Sequence, residues 1–565
     1  MNNYKRSILI KASLILVLVL LMFSSGYEIY KLKGSSSSNQ LRVGFQGMMP
    51  NSSGQNKNFN GGMSQGQSNN SQKQMSNGNL SSMPNGKSSS SSTQSTKAPS
   101  NWNGNKQRTP NFGGNQSGNR MPSNMRRGGN SQSNSYSVEV IIYSIIFIVS
   151  AISLFVMVIR NQIKDFEVST KFLVPVLVLI ALFLRLFIAV LLPEYSSDLN
   201  LFKSWAVSAA NDLTKVYSSA RNADYPPLYM YVLAIIGKIG GTSVFSSYFN
   251  LFLKLPSIFA DILTSLIIYK LANKRLSRAM SIILAAFYLF NPAVLVNSSV
   301  WGQVDSFFTL LLVLAVFMLS EGKVGIASVF FTAAVLMKPQ GIIFFPILLF
   351  ELVRLKSVKE FVKAAFISLC TAVLIALPFV ITNGFTWIFK LYSSTVGEYP
   401  YASVNGFNFF SLIGKNYVKD TGTILGISYH NLGMAAIVLI TILAFVIYLK
   451  GNSKELAPAV AMLEISGVFT FASSMHERYL FPAAALSILA YIYLKDKRIL
   501  TLIIGFSITI FSNTYYVLMQ GIGRSNSTGY TPVLAVTSAL NILLFVYCVK
   551  ILVNISRNRG GVKVD

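Results

Sequence analysis

The sequence is short of cysteine, histidine and acidic residues, and each shortage excludes a class of protein. It contains two cysteines and two histidines in 565 residues, so neither a disulfide framework nor a multi-histidine metal site is predicted. Both cysteines, Cys370 and Cys548, lie in apolar runs. Charged residues make up 12% of the chain, about half the share found in soluble domains. This composition argues against an ordinary cytosolic enzyme.

Hydrophobic residues are abundant at 52% of the chain, and 48 lysines and arginines stand against 20 acidic residues, a formal charge of +28. Such an excess suggests nucleic acid, but the apolar content argues against that partner. Basic residues of membrane proteins collect in cytoplasmic loops. We therefore predict an all-α polytopic membrane protein with about 13–14 membrane helices, the lipid bilayer being its surroundings.

Three regions differ in composition. In residues 1–33, Lys5, Arg6 and Lys11 precede an apolar run, which indicates an uncleaved membrane anchor or, alternatively, a signal peptide. Residues 34–137 are rich in Ser, Asn and Gly and hold ten basic residues and no acidic one. This composition is typical of a disordered extracytoplasmic segment, acting as a tether or adhering to an anionic envelope polymer. Residues 138–565 form the polytopic membrane domain.

Apolar stretches recur through that domain, and basic residues fall in alternate loops, as the positive-inside rule requires if residue 1 is cytoplasmic. An amphipathic stretch around 202–209 indicates a helix lying in the interface. A further apolar run, 228–240, is too short to span the membrane. The predicted membrane helices lie near 139–159, 172–192, 247–271, 279–296, 306–320, 324–337, 341–353, 364–382, 431–449, 456–472, 480–494, 499–516 and 531–552.

Ionisable residues inside two predicted membrane helices indicate an internal pair. Arg185 and Asp261 lie at comparable depth on consecutive long spans, and a charge at that depth is costly without a partner. We expect a structural salt bridge between them. Lys254 lies nearer the outer face, where it is a candidate for contact with a ligand headgroup.

The outer loops contain polar and aromatic residues that simple turns do not need. Carboxylates beside cations are the groups that general-base chemistry on a phosphate-bearing substrate requires. These polar and aromatic residues of the outer loops are Asp198 and those in the motifs Asp224-Tyr225-Pro226-Pro227, Trp301-Gly302-Gln303-Val304-Asp305, Lys338-Pro339-Gln340, Glu398-Tyr399-Pro400-Tyr401, Asn405-Gly406-Phe407-Asn408 and His476-Glu477-Arg478-Tyr479.

Five of these motifs, in this order and on one face, resemble those of the GT-C superfamily of polytopic glycosyltransferases, over about Phe172 to Leu494. They are Asp198 and the motifs that begin at Asp224, Trp301, Lys338 and His476. The chain looks closest to bacterial relatives of the mannosyltransferases that build GPI anchors, with protein O-mannosyltransferases more distant. The resemblance implies transfer of a hexose from a polyprenyl-phosphate carrier to a hydroxyl of a glycan, lipid or protein. It also implies a cell-membrane location with the active face extracytoplasmic.

The resemblance makes Asp198 the catalytic residue, which would take the proton of the acceptor hydroxyl as general base; Asp224 is a second catalytic candidate whose part stays open. Many members of that superfamily carry two adjacent acidic residues at this point, where the chain has Ser197-Asp198. Whether the reaction requires a divalent cation is therefore left open. The candidates for the lipid phosphate, chosen because cations suit phosphate, are Lys338, His476, Arg478 and Lys254. The candidates for sugar or acceptor contact are Tyr225, Trp301, Gln303, Asp305, Asn408, Glu477 and Tyr479.

Two other functions remain open from the sequence. A secondary transporter would place its binding groups near the midplane on interrupted helices, often within internal repeats, whereas no repeat is evident here. A flippase or ligase for lipid-linked glycans would share the phosphate-binding cations but would not need Asp198 as a base.

Overall fold

A computed structural model describes residues 3–35, 137–163, 165–192, 195–220, 222–522 and 529–560. Most of the basic segment, 36–136, lies outside them, so its disorder and its adhesion to an envelope polymer stay predictions. The division at 33 and 137 likewise stays a prediction. Within the described residues nearly all regular structure is helical, which confirms the predicted all-α class.

Up to Ser320, the described residues contain ten α-helices. They are α1 (Asn3–Ser35), α2 (Ser137–Ile159), α3 (Thr170–Leu191), α4 (Ser196–Asn211), α5 (Val216–Ser219), α6 (Pro227–Gly240), α7 (Phe249–Arg275), α8 (Arg278–Leu289), α9 (Pro292–Leu295) and α10 (Asp305–Ser320). A π-helical turn, Val296–Trp301, separates α9 from α10.

From Val324 to Gly560, the part of the chain that the structure describes contains ten more α-helices and one short antiparallel strand pair, β1 (Thr423–Ile424) and β2 (Ile427–Ser428). The helices are α11 (Val324–Val335), α12 (Phe345–Leu355), α13 (Val358–Asn383), α14 (Trp387–Gly397), α15 (Phe409–Leu412), α16 (Tyr429–Gly451), α17 (Ala457–Phe471), α18 (Ala483–Leu494), α19 (Ile499–Ile522) and α20 (Pro532–Gly560).

Each membrane segment placed from the sequence is helical over most of its residues, but the segments differ in length. Among the described residues, nine helical segments are long and apolar enough to cross a membrane, one of them being Arg278–Trp301, which comprises α8, α9 and the π-helical turn. Pro227–Gly240, Asp305–Ser320, Val324–Val335 and Ala483–Leu494 are shorter apolar helices. Side chains of α13 such as Phe366, Leu374 and Ile381 are largely exposed, as expected for a helix facing lipid. The chain is a polytopic membrane protein.

The predicted internal pair is confirmed. Arg185 Nε of α3 lies 3.4 Å from Asp261 Oδ2 of α7, and both side chains are fully buried. Because each charge would be costly alone at this depth, the pair fixes the register of these neighbouring helices.

The ends of α7 and α10 that lie away from Asp305 are joined by an ionic network. Arg275, in the last turn of α7, contacts Glu455 at 2.8 Å and Glu321 at 3.2 Å. Arg559 of α20 reaches the same Glu455 at 3.4 Å. Since α10 is about 24 Å long at 1.5 Å per residue, this network and the outer loops lie at opposite ends of the bundle.

Candidate binding site

Asp198, Gln303 and Arg478 form a continuous polar chain on the outer side of the bundle. Asp198 lies in the first turn of α4, and its Oδ2 accepts hydrogen bonds from Trp301 Nε1 at 3.0 Å and from Gln303 Nε2. The oxygen of the same Gln303 amide accepts a hydrogen bond from Arg478 Nη1. The amide therefore links the carboxylate of the first outer loop to the guanidinium near the last histidine.

A second, fully buried link runs through Asp305. Its Oδ1 pairs with Lys338 Nζ, and its Oδ2 accepts from Asn297 Nδ2 at 3.0 Å. Arg478 Nη1 lies 3.8 Å from the same Oδ2. A carboxylate at the first residue of α10 is also favoured by the positive end of the helix dipole. Lys338 and Arg478 are thus both neutralised in part by one acid.

The segment between α9 and α10 is shaped to direct Trp301 and Gln303 toward Asp198. The π-helical turn over Val296–Trp301 widens the backbone, a feature frequent at functional sites. Gly302 follows with φ +79°, and a Cβ there would lie 3.0 Å from Leu199 Cδ2. A residue with a side chain would be strained in this left-handed conformation, so glycine is required at this turn.

The second outer loop packs beside the His476–Tyr479 segment. Val404 N donates to Met475 O at 3.0 Å, and Ser474 N donates to Tyr401 O at 2.9 Å. Glu477 Oε1 accepts from Arg478 Nε at 2.8 Å. Burial, with the nearby charges of Arg478 and Lys338, lowers the pKa of His476 to about 3, so this imidazole is neutral at physiological pH and brings no charge to the site.

Two carboxyls adjoin the cluster with elevated proton affinity. Burial, reinforced by the adjacent Glu398, raises the pKa of Asp224 to about 7. Burial also raises the pKa of Asp198, although Arg478 and the donors Trp301 and Gln303 oppose the shift. Both acids therefore hold a proton more strongly than exposed aspartates do.

Aromatic rings surround these groups. The Arg478 guanidinium lies 5.2 Å from the Trp301 ring centroid, and the Lys338 ammonium lies 5.9 Å from Tyr225 and 5.6 Å from Tyr479. Tyr225 also packs against Phe202 and Trp205 of α4 at 5.7 and 5.4 Å. Cation–π contacts of this kind hold the two cations in fixed positions.

Two of the predicted site residues are engaged in structural contacts. Lys254 Nζ donates to Ala189 O at 2.8 Å and is 1% exposed, so this bond ties α7 to the end of α3. Asn408 is fully buried, caps α15 by accepting from Ser411 N at 3.1 Å, and donates to Ala472 O at 3.3 Å. That Lys254 and Asn408 contact a ligand stays a prediction, and the hydrogen bonds that engage both side chains within the protein do not favour it.

Three residues that position the site were not singled out from the sequence. Asn297 holds Asp305, Glu398 accompanies Asp224, and Asn513 of α19 accepts from Phe407 N and donates to Asn405 O, both at 2.8 Å. Glu398 lies in a quoted motif, but its role was not identified. Asn297 and Asn513 are polar residues inside apolar runs, and this pattern in the sequence could have identified them as candidate site residues.

A divalent cation does not fit the described residues. They contain no group of three or more His, Cys, Asp or Glu side chains able to hold a metal. The Asp198 oxygen that faces the cluster is occupied by two N–H donors, and Asp305 is occupied by Lys338 and Asn297. No step involving a metal follows from this arrangement.

Comparison with known proteins gives one finding. The family model of the GPI transamidase subunit PIG-U matches residues 191–397, and no curated protein matches the chain. The matched range holds Asp198, Asp224, Asp305 and Lys338, whereas the segment His476–Tyr479 lies beyond it.

This finding corrects the interpretation of the motifs. The assignment to GT-C glycosyltransferases and the transfer of a hexose from a polyprenyl-phosphate donor are wrong, because the matched family is a transamidase subunit and not a glycosyltransferase. The polyprenyl-phosphate sugar is likewise not supported as a partner. Similar polar residues on one face of a helical bundle do not specify a reaction, since one fold carries many chemistries.

Proposed function

We propose that this chain is a membrane subunit that binds the glycan headgroup of a glycolipid and presents it to a catalytic partner. The observation that carries this proposal is the polar cluster around Asp198, Gln303 and Arg478, most of which belongs to the range matched by the GPI transamidase subunit model. The expected ligand is accordingly a GPI-type glycolipid. A subunit acts with other chains, so the reaction itself is assigned to a partner.

The charges of the cluster favour hydroxyl and amine groups of the ligand over an additional phosphate. Arg478 is matched by Glu477 and lies near Asp305, and Lys338 is matched by Asp305. Asp198, in contrast, is held by two neutral donors. The hydrogen-bond acceptors that remain available to a ligand are therefore carboxyl oxygens, which bind the O–H and N–H donors of a glycan.

The aromatic rings suit the same ligand. The ring centroids of Tyr399 and Tyr479 lie 4.6 and 5.0 Å from that of His476. All three rings lie beside the polar chain formed by Asp198, Gln303 and Arg478. Aromatic faces pack against the apolar C–H faces of sugar rings while carboxyls take the hydroxyls, the usual division of a ligand site between apolar walls and few polar groups. We place this site on the extracytoplasmic face, opposite the basic loops.

The test is binding of a synthetic GPI-type glycolipid to the purified full chain in nanodiscs, comparing wild type with Asp198→Asn. The asparagine oxygen can still accept from Trp301 and Gln303 as Oδ2 does, so the substitution changes mainly the charge and the second carboxylate oxygen, Oδ1. A hydrogen bond to a charged group is worth about 1.5–3 kcal/mol, and we expect the Kd to rise about tenfold or more.

The matched control is Asp212→Asn, a half-exposed acid directly after the other end of the same helix, which should leave the Kd unchanged. Equal affinity of wild type and Asp198→Asn, or equal losses in both variants, would exclude Asp198 from the binding site.

A further inference from the structure

At the opposite end of the bundle, a groove opens between α11 and α13. It has a volume of about 430 Å³, within the range of small-molecule sites, and is separate from the site described above. Its lining is apolar apart from two lysines, and includes Lys323, Val324, Ile326, Val329, Lys363 and Ile367.

We propose that this groove binds one anionic phospholipid, with its acyl chain against α11 and α13 and its phosphate between Lys323 and Lys363. The apolar wall faces the bilayer, because Ile326 is 47% exposed and Val329 36% exposed, and the neighbouring α13 residues Phe361, Val362 and Phe366 are 53–65% exposed. A segment in lipid leaves such side chains uncovered, and an acyl chain lying along them is their natural neighbour.

Two glycines create the space for this ligand. A Cβ at Gly325 would lie 2.9 Å from Ile367 Cδ1 and 3.5 Å from Lys363 Cε, so a side chain there would close the groove. Gly322 has φ +80°, and a Cβ there would lie 2.8 Å from Lys454 Nζ. Gly322 therefore admits a third ammonium beside the headgroup position.

The charges around the groove match an anionic headgroup. The acids at this end are engaged: Glu321 and Glu455 with Arg275, and Glu351 with Arg354. In the part of the chain that the structure describes, no carboxylate lies within 4.0 Å of the ammonium of Lys323 or Lys454, and Lys363 has only Glu360 at 3.5 Å in a largely exposed pair. Exposed pairs of this kind contribute little, so a phosphate would find positive charge available.

The test is competition between phosphatidylglycerol and phosphatidylcholine for the purified full chain, with retained lipid counted by native mass spectrometry. Wild type should retain phosphatidylglycerol selectively. Lys323→Gln combined with Lys363→Gln should lower that selectivity by about fivefold for each lysine, the usual effect of one basic residue near an anionic lipid. Lys450→Gln, an exposed lysine at the same end of the bundle, is the control and should change nothing.

Val329→Trp, which fills the groove from a partly exposed position, should abolish retention of both lipids. Free inorganic phosphate should not displace the bound lipid, because the acyl chain contributes to binding. Unchanged selectivity in the double lysine variant, an equal loss in Lys450→Gln, or retention by Val329→Trp would each overturn the proposal. None of these outcomes depends on the glycolipid site, because both lysines lie at the other end of the bundle and Val329, midway along α11, lines the groove and not that site.

Discussion

Gln303 joins an acid and a base that come from distant parts of the chain. Its amide nitrogen donates to Asp198 and its amide oxygen accepts from Arg478, an arrangement that neither a carboxylate nor an ammonium could provide at that position. Ser257 Oγ donates to the Gln303 carbonyl at 2.6 Å and fixes its backbone. The proposed headgroup site therefore depends on an uncharged residue as much as on the charged ones.

Asp224 gives the protein a pH dependence with a definite sign. Its pKa is raised to about 7 by burial and by Glu398, so the folded state binds a proton that the unfolded chain releases near 4. The stability that this proton contributes is complete below about pH 4 and is lost as pH rises through 7. We expect the Tm of Asp224→Asn to exceed that of wild type by more at pH 8 than at pH 5.

The control for this measurement is Asp212→Asn. Hydrogen bonds from Thr214 and Lys215 lower the pKa of Asp212, so its removal should give a Tm difference that is flat between pH 5 and 8. A flat difference for Asp224→Asn as well would mean that the carboxyl is ionised throughout that range.

At the residue scale, sequence reasoning located the polar groups better than their contacts. The meeting of Asp198, Trp301, Gln303 and Arg478 agrees with the expectation that the outer motifs converge. That Lys338 is neutralised by Asp305 could not be predicted, because both residues lie next to helix ends and their pairing depends on how α10 and α11 pack. The expectation that Lys338 and Arg478 bind a lipid phosphate assumed that neither cation has a carboxylate partner within the protein.

At the scale of helices, hydropathy predicts where the membrane segments lie, whereas the local sequence determines where a helix is interrupted. The stretch predicted as one helix over 279–296 is divided, since α8 ends at Leu289 and α9 begins at Pro292. Asn291 caps α9 by accepting from Ala293 N at 3.0 Å. The Asn-Pro dipeptide is a recognised signal of such a break, whereas the π-helical turn after it has no comparable sequence signature.

The crossing of α4 and α6 carries a prediction of its own. A Cβ at Gly237 of α6 would lie 2.0 Å from Ala206 O and 2.8 Å from Ala210 Cβ of α4. Gly237→Ala must therefore separate the two helices, and we expect it to lower the free energy of unfolding by about 1–3 kcal/mol. It should also weaken glycolipid binding, because α4 carries Asp198. Thermal unfolding and the binding titration measure both effects.

Gly397→Ala is the comparison for that variant. This residue also lies in a helix, α14, and has no atom within 4 Å of an added Cβ, so alanine should be neutral or stabilising by up to about 1 kcal/mol. If Gly237→Ala behaves like Gly397→Ala, close contact between α4 and α6 is not what positions Asp198.

At the scale of the whole molecule, charge is divided between the two ends of the bundle. The outer end holds the acid–base cluster with its raised carboxyl pKa values, and the other end holds the Arg275 network and the lysines near the α11–α13 groove. The alternation of basic loops predicted this division from sequence alone. The chemistry was not predictable in the same way, because motifs on an outer face are compatible with both a glycosyltransferase and a substrate-binding subunit.

The most direct measurement is photo-crosslinking of the full chain in nanodiscs with a GPI-type glycolipid carrying a photoreactive group on its glycan, followed by mapping of the adducts. Our account predicts adducts on peptides that contain Tyr225, Trp301 or Tyr479, competed by unlabelled glycolipid and reduced in Asp198→Asn. Adducts confined to other parts of the chain, or adducts at these peptides that neither competitor nor Asp198→Asn diminishes, would contradict it.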